Sequence, residues 1–176
     1  MEPENKPAIT LRKPTIDDGA AIYELIKQSP PLDLNSSYLY FLQATHFADT
    51  CVLAEKDGQV VGFVSAYFRP DKKDSLFVWQ VAVSVKARGQ GLGKQLLYNL
   101  LKKQQHRPTV TELCCTISPS NKASQNLFQS FAEQYRLSIN IETFLEEKHF
   151  DHLGHEAEEL YSLRAAYNQN LLNTLF

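Results

Sequence analysis

An α/β domain is the expected architecture of this 176-residue chain, and three of its features point there. Asp57-Gly58 separates two β-prone runs, residues 51–55 and 60–67, and this dipeptide turns antiparallel strands most readily. A third β-prone run, 75–83, feeds directly into a glycine loop and then into residues 92–103, where Leu92, Leu96, Leu97, Leu100 and Leu101 recur at helical spacing. Beyond Pro108, strand and helix patterns alternate with no internal repeat and no Gly/Ser linker.

In chain order, residues 9–12 read as a short first strand. Thr15 with Asp18 has the capping-box pattern and opens a helix over 16–28, with Ala21, Ile22, Leu25 and Ile26 on one face. Ser29, Pro30 and Pro31 stop that helix. Cap-type residues over 33–37 precede an aromatic helical stretch, 38–47, which reads as a loop and helix laid over something. After the hairpin, third strand and glycine loop, residues 110–117 form another strand. Ser118-Pro119-Ser120-Asn121 punctuates it before a helix over 122–131 carrying Ala123, Leu127, Phe128 and Phe131 on its face. Residues 139–145 and 158–163 read as the last strands, separated by a polar, histidine-bearing loop over 146–156. The expected organisation is a tail over 1–8, one domain over 9–164, and a C-terminal tail over 165–176 that forms a short helix or frays.

Composition excludes several classes. Hydrophobic residues make up 43% and charged residues 22%, ordinary globular usage. A formal charge of -2, from 18 basic and 20 acidic residues, leaves no cationic surplus for a phosphate backbone, so no nucleic-acid partner is expected. The apolar run around 78–83 is far shorter than the roughly 20 residues a membrane span needs. The polar, proline-containing first residues carry no signal pattern, so a cytoplasmic location is expected. Cys51, Cys114 and Cys115 sit in β-rich apolar stretches and read as reduced, packed thiols.

Arg88-Gly89-Gln90-Gly91-Leu92-Gly93-Lys94 stands between a strand and a helix. Glycines there let backbone N–H groups close on an anion at the helix N-terminus, and Arg88 and Lys94 add positive charge. Gln95 stands where a Walker loop needs Ser or Thr, and the spacing of Gly89, Gly91 and Gly93 fails the dinucleotide fingerprint; R-x-x-G-x-G is satisfied.

With that motif, residues 9–163 resemble the GNAT superfamily of acyl-coenzyme A dependent N-acetyltransferases, and 81–93 match its coenzyme segment. The resemblance implies a mixed, mostly antiparallel sheet of about six or seven strands flanked by helices, with acetyl-CoA as cosubstrate. It also implies that amides of Gly89, Gln90, Gly91, Gly93 and Lys94 take the pyrophosphate, and that Val81 and Val83 backbone groups meet the pantetheine arm and acetyl carbonyl. Residues 121–128 resemble its second cofactor motif, making Asn121 and Asn126 candidate coenzyme contacts; Asn121 reads equally as a helix cap. Phe128 occupies the position where many relatives carry a tyrosine acid, and the strand before the loop offers Trp79 and Gln80 but no glutamate.

Within the superfamily, residues 12–14, 31–40, 78–83 and 117–124, with Glu156, Glu158 and Tyr161, resemble the branch that acetylates L-2,4-diaminobutyrate at N4 in cells accumulating a compatible solute. The branch implies a homodimer. A diamino acid calls for anionic side chains, aromatic faces and a donor. Asp33 and Glu158 are the expected ammonium partners and catalytic candidates, with Glu158 the proton acceptor. Trp79 is a pocket wall or a core residue, Asn35, Ser36 and Tyr38 are further candidates, and His155 is a pocket donor or a solvated loop residue. His149, His152 and His155 share a three-residue spacing, but no metal is expected in a loop broken by Gly154. Another small amine, a peptide N-terminus, or a coenzyme A binding module without turnover remain open on sequence alone.

Overall fold

Residues 8–176 are described in the structure, a computed structural model; of the tail expected over residues 1–8, all but Ala8 lies outside them. Seven strands, β1 (Thr10–Arg12), β2 (Cys51–Lys56), β3 (Gln59–Phe68), β4 (Ser75–Val83), β5 (Glu112–Ile117), β6 (Ser138–Leu145) and β7 (Glu158–Arg164), form one sheet in the order β1-β2-β3-β4-β5-β7-β6. The helices are α1 (Gly19–Lys27), α2 (Ser37–Gln43), α3 (Leu92–Lys102), α4 (Lys122–Tyr135) and α5 (Leu171–Leu175). Pairings β1·β2, β2·β3, β5·β7 and β6·β7 are antiparallel and β4·β5 is parallel, so the sheet is mixed and mostly antiparallel, as expected. The chain divides into two compact units, residues up to Ser65 with Gln80–Leu100, and Ala66–Trp79 with Leu101–Phe176.

In the first unit, Asp57 (φ 53°) and Gly58 (φ 72°) both take left-handed conformations, and Lys56 pairs Gln59 across the resulting two-residue turn. The core gathers Ile22, Leu25 and Ile26 from α1, Tyr40 and Ala44 at α2, and Cys51, Leu53, Phe63 and Ala82 from the strands. α3 lies close over β3, where a Cβ on Gly62 would meet Leu92 and Leu96 at 3.2 Å. The Thr15 amide and hydroxyl both donate to Asp18, whose carboxylate also takes a bidentate pair from Arg12 at 2.8 Å; Arg12 bonds Glu55 as well. Those Arg12 bonds hold the Asp18 carboxyl below its usual range. The expected helix over 16–28 begins as a tight 3-10 turn, Ile16–Asp18, and becomes α-helical at Gly19. α2 is shorter than the aromatic stretch suggests: Ser36 caps its start, and the Thr45 hydroxyl bonds back to Phe41 O just beyond its end.

In the second unit, buried Glu112 accepts from the Ser75 hydroxyl, from Lys72 Nζ at 3.0 Å and from Arg164 at 2.6 and 3.1 Å. β5 starts two residues later than expected because the Val110 amide donates to Asn170 Oδ1 instead of to a strand, while Val110 O accepts from Leu171. The same Asn170 caps α5, whose Leu171 and Leu172 are buried. α4 runs past the expected 131 because Phe128, Phe131, Ala132 and Tyr135 continue one face, and it stops at Arg136 in a left-handed conformation. The polar loop over 146–156 contains two short 3-10 turns. Cys51, Cys114 and Cys115 are unbridged and buried, and burial pushes the Cys115 thiol well above its usual range. Among the described residues no helix is long and apolar enough to cross a membrane.

Candidate active site

The glycine loop carries a free anion cradle. Gly89 and Gly91 hold φ of 73° and 71°, and a Cβ built on either would meet no atom within 4 Å, so space opens above both residues. The first amide from this segment to bond within the chain is that of Gln95, to Gly91 O; among the described residues none of the amides from Gly89 to Lys94 has a protein acceptor. Unpaired N–H groups at the start of an eleven-residue helix carry its positive dipole end, which suits a diphosphate. Arg88 Nε donates to Val83 O at 3.2 Å, pinning the loop's entry to the end of β4. The residues present therefore fit the pyrophosphate expected of them.

β4 alternates its faces. Val78, Gln80 and Ala82 are buried, whereas Phe77, Trp79, Val81 and Val83 stand on the opposite face. Trp79 is 47% exposed, so of the two readings left for it core packing is removed; its ring meets Tyr67 edge-on at 6.3 Å. Within the first unit, Gln80 Nε2 donates to Asp33 O at 2.7 Å and Tyr40 Oη accepts from the Asn35 amide at 3.1 Å. Asp33, Ser36 and Tyr38 are exposed on this stretch, with Asn35 half-buried.

In the second unit, Glu158 opens β7 and is largely buried, its side chain 16% exposed. His155 Nε2 stands 3.8 Å from Glu158 Oε1. His155 Nδ1 lies 2.8 Å from Glu156 O, an acceptor only, so Nδ1 carries a proton and Nε2 faces the carboxylate. The imidazole stacks on Phe150 at 4.3 Å, which fixes its plane. The other two histidines do not join it: His149 Nδ1 accepts from the Glu146 amide, and exposed His152 faces Asp151. Asn121 Oδ1 accepts from the Ser124 amide, so it caps α4; Asn126 is exposed on that helix, and Phe128 is buried. A groove of about 510 Å³ lined by Arg107, Pro108, Asn170 and Leu172 contains none of these residues and lacks acid–base groups suited to the chemistry.

Residues 19–132 match the family model for the acetyltransferase (GNAT) family. The chain belongs to the GNAT acetyltransferase family. Among known GNAT relatives it is 45% identical to the L-2,4-diaminobutyric acid acetyltransferase of Vibrio cholerae, over 90% of this chain and 92% of that one. It is 46% identical to the protein of the same name from Chromohalobacter salexigens, over 77% of this chain and 70% of that one. Among solved GNAT structures it is similar to the diaminobutyrate acetyltransferase of Paenibacillus lautus, determined with its substrate L-2,4-diaminobutyric acid and coenzyme A: TM-score 0.85, 38% identity, 90% of this chain and 95% of that one. Sequence reasoning missed the bonds by which Gln80 and Tyr40 hold the backbone of the Asp33–Asn35 stretch. The available signal was a polar side chain at an inward position of an otherwise apolar strand.

Proposed function

We propose that this chain transfers the acetyl group of acetyl-coenzyme A to L-2,4-diaminobutyrate, giving N4-acetyl-L-2,4-diaminobutyrate. The observation that carries the reading is the unpaired run of amides from Gly89 to Lys94, in a chain 38% identical to an enzyme solved with that substrate and coenzyme A. Backbone amides of Gly89, Gln90, Gly91, Gly93 and Lys94 hold the pyrophosphate, and Val81 and Val83 offer backbone groups to the pantetheine arm. Exposed Asn126 is free to meet the coenzyme; Asn121, with its oxygen committed to capping, has only its NH₂ to offer.

Acetyl transfer needs a neutral amine, and an alkylamine loses its proton only at about pH 10. Glu158 is the proton acceptor, and the His155 Nε2 beside it offers the next stop for that proton. Asp33 takes an ammonium group and Trp79 walls the amine site. Phe128 has no proton to give, so the departing thiolate is protonated by water or another group. The expected effect of Glu158→Gln is a loss of about 100-fold in kcat/KM, with flattening of the acidic limb of the pH–rate profile; an unaltered profile removes Glu158 as the base.

Incubation with acetyl-coenzyme A and a panel of amines, following coenzyme A release, tests the whole reading. Turnover with diaminobutyrate is expected; turnover only with spermidine or a peptide, or binding without turnover, overturns it. The same reading places the enzyme in the cytoplasm of a cell that makes ectoine as an osmoprotectant, and makes it a homodimer. Edge strand β6 supports the last point, since it exposes Ile141 and Phe144 (46% and 53%). Ile141→Asp combined with Phe144→Asp is expected to halve the mass seen by light scattering; an unchanged mass would rule out β6 as the dimer face.

A further inference from the structure

We propose that Gln80 is a positioning residue that fixes the Asp33–Asn35 stretch for amine binding, and so governs affinity for the amine more than the rate of acetyl transfer; this rests on the function proposed above.

A buried amide is costly unless its donor and acceptor are both used. Gln80 is 5% exposed on an inward face shared with Val78 and Ala82, a position where an apolar side chain would pack without that cost. Its Nε2 donates to Asp33 O at 2.7 Å, and its Oε1 faces the Tyr40 hydroxyl at 3.5 Å. Tyr40 is fully buried, edge-on to Tyr23 at 5.9 Å, and its oxygen accepts from the Asn35 amide at 3.1 Å. The backbone is thus held on both sides of Leu34, by the carbonyl of Asp33 and the amide of Asn35, from two side chains rooted in the core of the first unit.

Residues 29–36 have no helix or strand of their own to order them. The Asp33 side chain is exposed on this stretch while its main chain is tied inward, so the anchor acts on where the carboxylate is presented. Without the anchor the stretch samples more conformations, and amine binding must supply the ordering. Gln80 itself needs to touch neither the amine nor the thioester.

Gln80→Leu removes the donor at similar volume, and Tyr40→Phe removes the hydroxyl while keeping the ring. Each is expected to raise KM for L-2,4-diaminobutyrate about tenfold, with kcat within roughly threefold and KM for acetyl-coenzyme A unchanged. In the free protein, amide hydrogen exchange over residues 33–36 should quicken about tenfold at an unchanged exchange rate in β2 and β3. Because both side chains serve one stretch, the double variant should be much less impaired than the product of the two single effects. A folded Gln80→Leu protein with wild-type exchange over 33–36, or with a lower kcat at unchanged amine KM, overturns the proposal; if that variant does not fold, Tyr40→Phe decides by the same two readings. Should the wild-type enzyme fail to acetylate diaminobutyrate, the proposed function falls and the claim on amine affinity with it, while the exchange rates still accept or reject the anchor.

Discussion

Gly91→Glu is expected to lose at least about 100-fold in affinity for acetyl-coenzyme A, roughly 2.7 kcal/mol, while still unfolding in one cooperative transition. At φ 71° any side chain sits in the left-handed region, at a cost of about 1–2 kcal/mol, which lowers the melting temperature a little without removing the fold. The larger effect is electrostatic and steric. The space above Gly91 would receive a carboxylate, where the helix end and the free amides attract an anion, and a bound diphosphate would be repelled. Gly91→Ala separates the causes, having the strain without the charge, and should lose only about tenfold. Titration calorimetry reads both. Binding within threefold of wild type in the glutamate variant would mean that the diphosphate is held elsewhere.

Glu112→Gln is expected to cost about 3 kcal/mol, or on the order of 10 °C in Tm. Burial by itself would push the Glu112 carboxyl up, but hydrogen bonds from Ser75, Arg164 and Lys72 outweigh it and hold the group at about 2. The folded value lies below the ordinary 4.5, so the stabilisation is complete above pH 4.5 and is lost as pH falls from there toward 2. The neutral amide keeps the shape but leaves Lys72 and Arg164 without their counter-charge; both are partly exposed, which keeps the cost from being larger. Thermal melts at pH 7 and pH 3.5 check this. The gap in Tm between wild type and variant should narrow at the lower pH, and a constant gap would show that the carboxylate's charge is not the source of the stability.

Local features of the fold were legible in the sequence. Asp57-Gly58 specifies its turn by backbone preference alone, and the leucine spacing of α3 and the glycines before it lie within one short window. Element ends set by distant partners were not. The Val110 amide is taken by Asn170, 60 residues away, which removes it from β5. Arg136 ends α4 in a left-handed conformation where no glycine announced a stop. The same division runs through the site. The anion cradle is a single contiguous segment and could be read directly, whereas Gln80 shows in sequence only as a polar residue on a strand. Its partner, Asp33 O, is 47 residues away, and nothing in local composition names it.

The three cysteines have a practical corollary. Coloured disulfide reagents such as dithiobis-nitrobenzoate react with thiolates they can reach, and this chain presents none: Cys51, Cys114 and Cys115 are buried, with the Cys114 and Cys115 sulfurs raised in pKa by burial. The native enzyme should therefore give a flat absorbance baseline, so that every increment during turnover counts one coenzyme molecule set free, and three further equivalents should appear only once denaturant opens the core.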